Sequence, residues 1–533
     1  MPITDQLRLM ADAHPDEVAY HVLGGGSLTF AAWEIDSNRL ARGLVAAGIR
    51  KGDRVAVALP VEEALRWLVA YAAVHKAGAV AVPVNPRLAD REVAAMLEHC
   101  EASAVVAAGD LVARSVGYGA GLTGLELVID ASSGVPEAGG NPPAQGEPAV
   151  REEPGTAGSG AAGSGSGSGR GPVSWHDILA VDGSTFQVET SEDDLADILY
   201  TSGTTGKPKG VAVRHRSASL LPTNLPAWTG QVWLHSSPLF TFAGVSFVYN
   251  PMKLGMTALY QPHFDAGEWL DAVEEHEPTA VFLVPAMAQL LVAHDRFAAA
   301  KLGSVKLCAI GSAPLAPATL RRMQERMPDA AVSNSYGMTE AGAAYCAMPQ
   351  GESLKRIGSV GKPMPPMEVR CVAEDGSDAP AGEIGELLIR LPGNQREYFN
   401  DPEATAQTWA GGWLHTGDLG RLDEDGYLYI AGRKKDVIIR GGNNVHATDV
   451  EAVLLEHPGV AEAAVVGVPH EVLGEDVAAF VVAVGGAQLD EGDLRRHCLE
   501  RLADYKAPRK FVFVPGLPRN ATGKVQKHLL TMP

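Results

Sequence analysis

The chain has 533 residues, 46% hydrophobic and 20% charged, the balance of an ordinary multidomain globular protein. Its 44 Lys and Arg against 64 Asp and Glu leave a net charge of -20, which repels phosphate polymers and anionic bilayers and so argues against nucleic-acid or membrane-surface binding. Cys100, Cys308, Cys346, Cys371 and Cys498 are widely spaced and form no C-x-x-C pair, so a reducing compartment is expected rather than a disulfide framework or zinc module.

The opening MPITDQLRLMADAHPDE lacks the basic-then-apolar pattern of a leader. The best apolar stretch, Trp67 to Pro83, is broken by His75 and Lys76, so no membrane span and a cytoplasmic location are expected. Thr29 to Gly48 reads as an amphipathic helix, Arg54 to Leu59 as a strand, Glu63 to Gly78 as a helix and Ala79 to Val84 as a strand. This alternation predicts a mostly parallel sheet with helices on its faces. Residues 133–172 are rich in Gly, Ser, Pro and Ala and include GSGSGSG; they predict a flexible surface insertion inside a domain, with a linker between independent domains as the weaker alternative. Ala280 to Val284 and Lys306 to Ile310 predict two further buried strands. Residues 357–432 predict an antiparallel piece, with turns at Asp375-Gly376 and Asp425-Gly426. After about residue 434 a last domain of about 100 residues is expected. Its tail carries Lys506, Arg509, Lys510, Arg519, Lys524 and Lys527 against Asp504 alone.

Five segments could carry chemistry. Tyr200 to Gly210, YTSGTTGKPKG, combines glycines, hydroxyls, Lys207 and Lys209 after an apolar run, which suits a polyphosphate cradle. Its spacing is not that of a Walker A loop, and Pro208 follows Lys207. In NSYGMTE, Asn334 to Glu340, Tyr336 could stack on a ring and Glu340 could hold Mg²⁺. In HTGDLG, His415 to Gly420, and GRKKDVIIRGG, Gly432 to Gly442, Asp418 could accept from a ribose diol and Arg433 could contact the sugar or a phosphate. In LPRNATGK, Lys524 suits an anionic transition state. Read singly, the last four of these segments are better taken as a strand-to-loop corner, turns or solvated surface. Two look-alikes are set aside. Gly119 to Gly124 matches G-x-G-x-x-G but precedes a strand-like LELVID, and His276 with Glu274, Glu275 and Glu277 reads as a solvated helix end.

In this order the segments resemble the adenylate-forming superfamily, which includes acyl-CoA synthetases, 4-coumarate–CoA-ligase-like enzymes, luciferases and nonribosomal adenylation domains. The match runs from LTFAAWEIDSNRLARGL at residue 28 to Lys524 and includes KAGAVAVPVNPRL, YFNDPEAT, GYLYIAGRKKD and VVGVPHEVLGED. The resemblance implies an α/β fold. A large N-terminal domain, residues 1–434, would hold mixed parallel sheets with flanking helices and a β-rich subdomain; residues 435–533 would form a small mobile α+β domain. It implies ATP, Mg²⁺ and CoA. A carboxylate attacks the α-phosphate, pyrophosphate leaves, and a nucleophile, usually the CoA thiol, displaces AMP from the acyl-adenylate.

The roles implied by the resemblance follow residue by residue. Lys524, Glu340 and Thr339 would be catalytic, with Glu340 on Mg²⁺. Thr201, Ser202, Gly203, Thr204, Thr205 and Gly206 would hold the leaving phosphates, with Lys207 and Lys209 secondary. Tyr336 would stack on adenine, flanked by Asn334 and Gly337, with Gly311, Ser312, Ala313 and Pro314 on the other side. Asp418 and Arg433 would hold the ribose. Lys435 would be the hinge, and rotation about it would bring Gly441 and Gly442 to the CoA channel. The family's usual PLFHxxG histidine is Thr241 here, and Asn443-Asn444-Val445-His446-Ala447 departs from the family's Tyr-Pro ending. The small, uncharged wall positions Thr241, Ala286, Gly337, Ala343 and Ala344 imply an apolar or aromatic acid, aryl or fatty. The resemblance leaves other readings open: a carrier protein or an amine as acceptor, nitrite-dependent diazotisation of an aryl amine, a luciferase-type oxygenase, or a non-catalytic nucleotide-binding protein. Either a monomer or a homodimer is compatible.

Overall fold

A computed structural model describes residues 3–119, 121–122, 124–132, 171–201, 209–218, 227–313, 315–343, 346–393, 395–485, 487–519 and 524–532. The first amphipathic segment is the helix Phe30–Ala46, and the Thr29 hydroxyl caps it by accepting the Ala32 amide at 3.2 Å. It packs beside the helix Ala64–Lys76, in which every residue but Leu65 is buried, from Trp67 and Tyr71 to Lys76. A helix buried on nearly all sides must be enclosed by other elements. One hydrophobic cluster joins Trp33, Trp67 and Tyr71 of these helices to Val55 and Ala81 of one sheet and Ala258 and Tyr260 of another.

Among the described residues the first of these sheets has eight strands, in the order Glu397–Tyr398, Lys209–Arg214, Leu195–Thr201, Val80–Pro83, Arg54–Ala58, Ala102–Ala107, Leu127–Asp130 and Val173–Ser174. Neighbours are parallel from Leu195–Thr201 onward and antiparallel before it. The second sheet has seven strands and is parallel apart from Ser27–Thr29; it ends with Ala280–Leu283, Leu307–Gly311 and Ala331–Ser335 as successive neighbours. The strands read at 54–59 and 79–84 are parallel neighbours in the first sheet, and those read at 280–284 and 306–310 are parallel neighbours in the second.

Residues 346–433 supply the expected antiparallel sheet, with Glu368–Val372, Gly385–Arg390, Trp413–Leu422 and Leu428–Arg433 at its centre. The turns fall at Gly376 and Gly426, where φ is +84° and +80°, values a glycine adopts without a Cβ clash. A last sheet runs from Val437–Arg440 to Lys510–Phe513 around its own core, which includes Ile438, Val450, Val465 and Phe511.

Residues 133–170 lie outside the described residues, but their flanks do not. Leu127–Asp130 and Val173–Ser174 are parallel neighbours, so the Gly/Ser-rich segment leaves and re-enters the same sheet. Gly119 ends the helix Asp110–Gly119 and is followed by the strand Leu127–Asp130, the reverse of a dinucleotide fingerprint; Ala120 and Thr123 lie outside the described residues. His276 ends the helix Ala266–His276 beside exposed Glu274, Glu275 and Glu277. Among the described residues no group of three His, Cys, Asp or Glu is placed to hold a metal, and no helix is long and apolar enough to cross a membrane.

Candidate active site

Strand ends deliver the singled-out residues. Asp418 lies within Trp413–Leu422 and Arg433 closes Leu428–Arg433, and the two are register partners. Arg433 Nε lies 3.1 Å from Asp418 Oδ1. Tyr336 follows the strand Ala331–Ser335, and its hydroxyl donates to Asp418 Oδ2 at 2.5 Å. The buried Asp418 is fixed from behind: its amide donates to Thr416 Oγ1 at 3.0 Å, and that hydroxyl donates to the Leu387 carbonyl at 2.8 Å. Burial first, and the Asp418 charge second, hold the Tyr336 phenol well above its ordinary pKa, so it remains a neutral donor.

Lys524 belongs to this group although it lies 106 residues beyond Asp418 in the chain. Its side chain keeps solvent contact, yet desolvation by the surrounding protein lowers its pKa, and Arg433 lowers it further. The carboxylates of Asp418 and Asp436 act in the opposite direction. The structure thus gathers Tyr336, Asp418, Arg433 and Lys524.

A second group forms around NSYGMTE. Glu340 Oε1 accepts the Tyr398 hydroxyl at 3.1 Å. The Thr339 carbonyl accepts Arg396 at 2.5 Å, and the same guanidinium donates to the Ser217 carbonyl at 2.8 Å. Lys209 Nζ stands 4.8 Å from the centre of the Tyr398 ring. Sequence reasoning assigned no role to Tyr398 or Arg396. YFNDPEAT signalled the first as part of a matching segment, and nothing signalled the second.

The remaining positions are placed as follows. Thr201 ends its strand as the register partner of Lys209, while Ser202, Gly203, Thr204, Thr205, Gly206 and Lys207 lie outside the described residues. Gly311 pairs with Ser335, and a Cβ there would lie 3.0 Å from the Ser335 carbonyl oxygen. Ser312 follows at φ +76°, a conformation L-residues rarely hold, and Ala313 is half-buried; Pro314 lies outside the described residues. Asn334 pairs with Ile310, and Gly337 pairs with Ala343; Ala344 lies outside the described residues. Ala286 is half-buried in the first turn of the helix Pro285–Ala293. Thr241 caps the helix Phe242–Lys253: its hydroxyl accepts the Gly244 amide at 3.0 Å and donates to the Pro238 carbonyl at 2.7 Å.

Lys435 is exposed in the turn Lys434–Asp436. Gly441 and Gly442 are exposed between Val437–Arg440 and Asn443–His446. The Gly441 amide donates to the Leu473 carbonyl at 2.9 Å, and neither glycine joins the Asp418 group.

The polar cluster thus joins the edge of the second parallel sheet, after Ala331–Ser335, to the antiparallel sheet that carries Asp418 and Arg433, and the comparisons specify the class of enzyme. A model of the AMP-binding enzyme family matches residues 7–399, and one of the AMP-binding enzyme C-terminal domain matches residues 449–524. Feruloyl-CoA synthase from Amycolatopsis sp is 34% identical over 511 residues, 95% of this chain and 93% of the relative. A 2-succinylbenzoate–CoA ligase from Geobacillus sp. is 32% identical across 97% of this chain and 94% of its own. Amide bond synthetase McbA from Marinactinospora thermotolerans has a TM-score of 0.79 at 30% identity, covering 99% of each chain. The fold is also that of the anthranilate CoA ligase AuaEII, with a TM-score of 0.83 at 24% identity over 99% of this chain and 96% of that one. The chain belongs to the AMP-binding enzyme family. It is an AMP-forming ligase of the acyl-CoA synthetase type, using ATP and Mg²⁺.

Proposed function

We propose that this ligase activates an aryl carboxylic acid as its acyl-adenylate, releases pyrophosphate, and passes the acyl group to the thiol of CoA. The observation that carries the reading is the gathering of Tyr336, Arg433 and Lys524 about one buried carboxylate, Asp418. Asp418 and Arg433 then hold the ribose diol, and Tyr336, tied down at its hydroxyl, offers its ring to adenine. Lys524 places its ammonium where charge accumulates as a carboxylate oxygen meets the α-phosphate. Residues 202–208, between Thr201 and Lys209, would hold the departing phosphates, with Gly311, Ser312 and Ala313 along the nucleotide.

Glu340 fits a Mg²⁺ ligand. It offers a hard carboxylate oxygen, and that ion takes one or two carboxylates together with substrate phosphates. Bound there, the metal would neutralise phosphate charge. Small residues at Ala286, Ala343 and Ala344 favour an apolar or aromatic acid, in keeping with the feruloyl-CoA synthase among the relatives. A cytoplasmic enzyme acting on small molecules completes the reading.

A second acceptor is supported by one particular likeness. The amide bond synthetase matches at 30% identity, and Asn443 to Ala447 departs from the usual ligase ending. Pyrophosphate and AMP release across a panel of aryl and fatty acids, with CoA, amines or a carrier protein added, tests both. Acyl-CoA formed from one aryl acid supports the main reading; amide formed regardless of CoA replaces it. Lys524→Ala should slow pyrophosphate release by about 10²–10³-fold while ATP still binds.

A further inference from the structure

The strand Glu397–Tyr398 lies at the edge of the eight-stranded sheet and pairs antiparallel with Lys209–Arg214. Lys209–Arg214 is the strand on which the chain returns from the phosphate-holding segment. The same edge therefore touches two parts of the site that are far apart in sequence. The Phe399 amide donates to the Gly210 carbonyl at 2.7 Å, one residue beyond Lys209. One and three residues before Phe399, Tyr398 and Arg396 reach consecutive residues of the NSYGMTE segment. Tyr398 donates to the Glu340 carboxylate at 3.1 Å, and Arg396 to the Thr339 carbonyl at 2.5 Å. Arg396 is 2% exposed, sits 5.4 Å from the centre of the Phe242 ring, and also holds the Ser217 carbonyl.

A carboxylate on a flexible glutamate has several rotamers, and only some aim an oxygen at a given ion. We propose that Tyr398 is a positioning residue for the metal: its hydroxyl occupies Glu340 Oε1 and leaves Oε2 directed to the ion, while Arg396 fixes the backbone from which Glu340 springs. The proposal rests on the reading of Glu340 as the Mg²⁺ ligand. Partners that orient a ligand in this way commonly govern metal affinity by about 10–100-fold.

Tyr398→Phe removes only the hydroxyl and keeps the ring against Lys209 and Trp409, the latter 5.3 Å away between centres. The probe is Mn²⁺ in the presence of α,β-methylene ATP, with free Mn²⁺ read by electron paramagnetic resonance, so affinity is measured without turnover. Tyr398→Phe should bind Mn²⁺ about tenfold more weakly, with an unchanged melting temperature. The Mg²⁺ concentration for half-maximal pyrophosphate release should rise by the same factor, with kcat at saturating Mg²⁺ kept within about threefold. Unchanged Mn²⁺ affinity overturns the proposal. So does a loss that comes with a lowered melting temperature, which would mark a merely structural hydroxyl. Glu340→Gln separates the two readings. If it binds Mn²⁺ like the parent enzyme, the metal role of Glu340 is wrong; if it loses the ion while Tyr398→Phe does not, that role stands and the positioning role fails.

Discussion

Lys524 sits among charges that pull its proton in opposite directions. Desolvation and Arg433 disfavour the ammonium, whereas Asp418 and Asp436 favour it, and the balance lies below the ordinary lysine value. In the proposed chemistry the ammonium is the active form. The rate of adenylation should therefore fall as pH rises through that lowered pKa. Arg433→Gln removes the largest opposing charge and releases Asp418 from its 3.1 Å ion pair. Both changes favour the protonated lysine, so the alkaline limb of kcat for pyrophosphate release should move to higher pH, even as the KM for ATP rises. A profile from pH 7 to 11 reads the shift; a limb that stays put, or moves down, would detach Lys524 from it. Lys524, Asp418 and Arg433 are singled out by several motifs taken in order and the resemblance they carry; read alone, each is an ordinary turn acid, basic cluster or surface lysine. Tyr398 is not singled out, because its partner Glu340 is 58 residues away and only folding brings a phenol to that carboxylate.

At the scale of elements, hydrophobic periodicity located the helices Phe30–Ala46 and Ala64–Lys76 and four buried strands to within a residue or two. The edge strand Glu397–Tyr398 was not located, since two residues carry no period. Thr241 shows a different limit. At the place of the family's usual histidine it reads as a residue facing substrate, but its hydroxyl is spent within its own turn, on the Gly244 amide and the Pro238 carbonyl. The turn is tight enough that a Cβ on Gly244 would lie 2.0 Å from the Pro238 oxygen. Losing the cap should matter more to the helix Phe242–Lys253 than to the choice of acid. Thr241→Ala is expected to cost about 1 kcal/mol in denaturant unfolding, Thr241→Ser to restore most of it, and the ranking of acids in the panel to stay the same. A reordered ranking with unchanged stability would return Thr241 to the pocket wall.

For the whole molecule, strand alternation announced parallel sheets but not their number, because which strands become neighbours is decided by packing between distant segments. What the chain does with its last sheet is a question of arrangement. Lys524 lies within electrostatic reach of Asp418 and Arg433, the arrangement the proposed adenylation step would use, whereas Gly441 and Gly442 face solvent. Near them Ile439 is 55% and Val472 85% exposed, apolar surface that a second arrangement would cover. The turn Lys434–Asp436 joins the last sheet to the strand ending at Arg433, and Lys435 within it is exposed and free of the packing that would resist a backbone change. If that residue is the pivot, locking its φ should leave the first half-reaction intact and stop the second. Lys435→Pro should then release pyrophosphate at a rate within a few-fold of the parent but form acyl-CoA about 100-fold more slowly, with acyl-adenylate accumulating on the enzyme. Rapid-quench measurement of both half-reactions decides it. Equal slowing of the two would show that Lys435 serves the static site, and equal retention would place the pivot elsewhere.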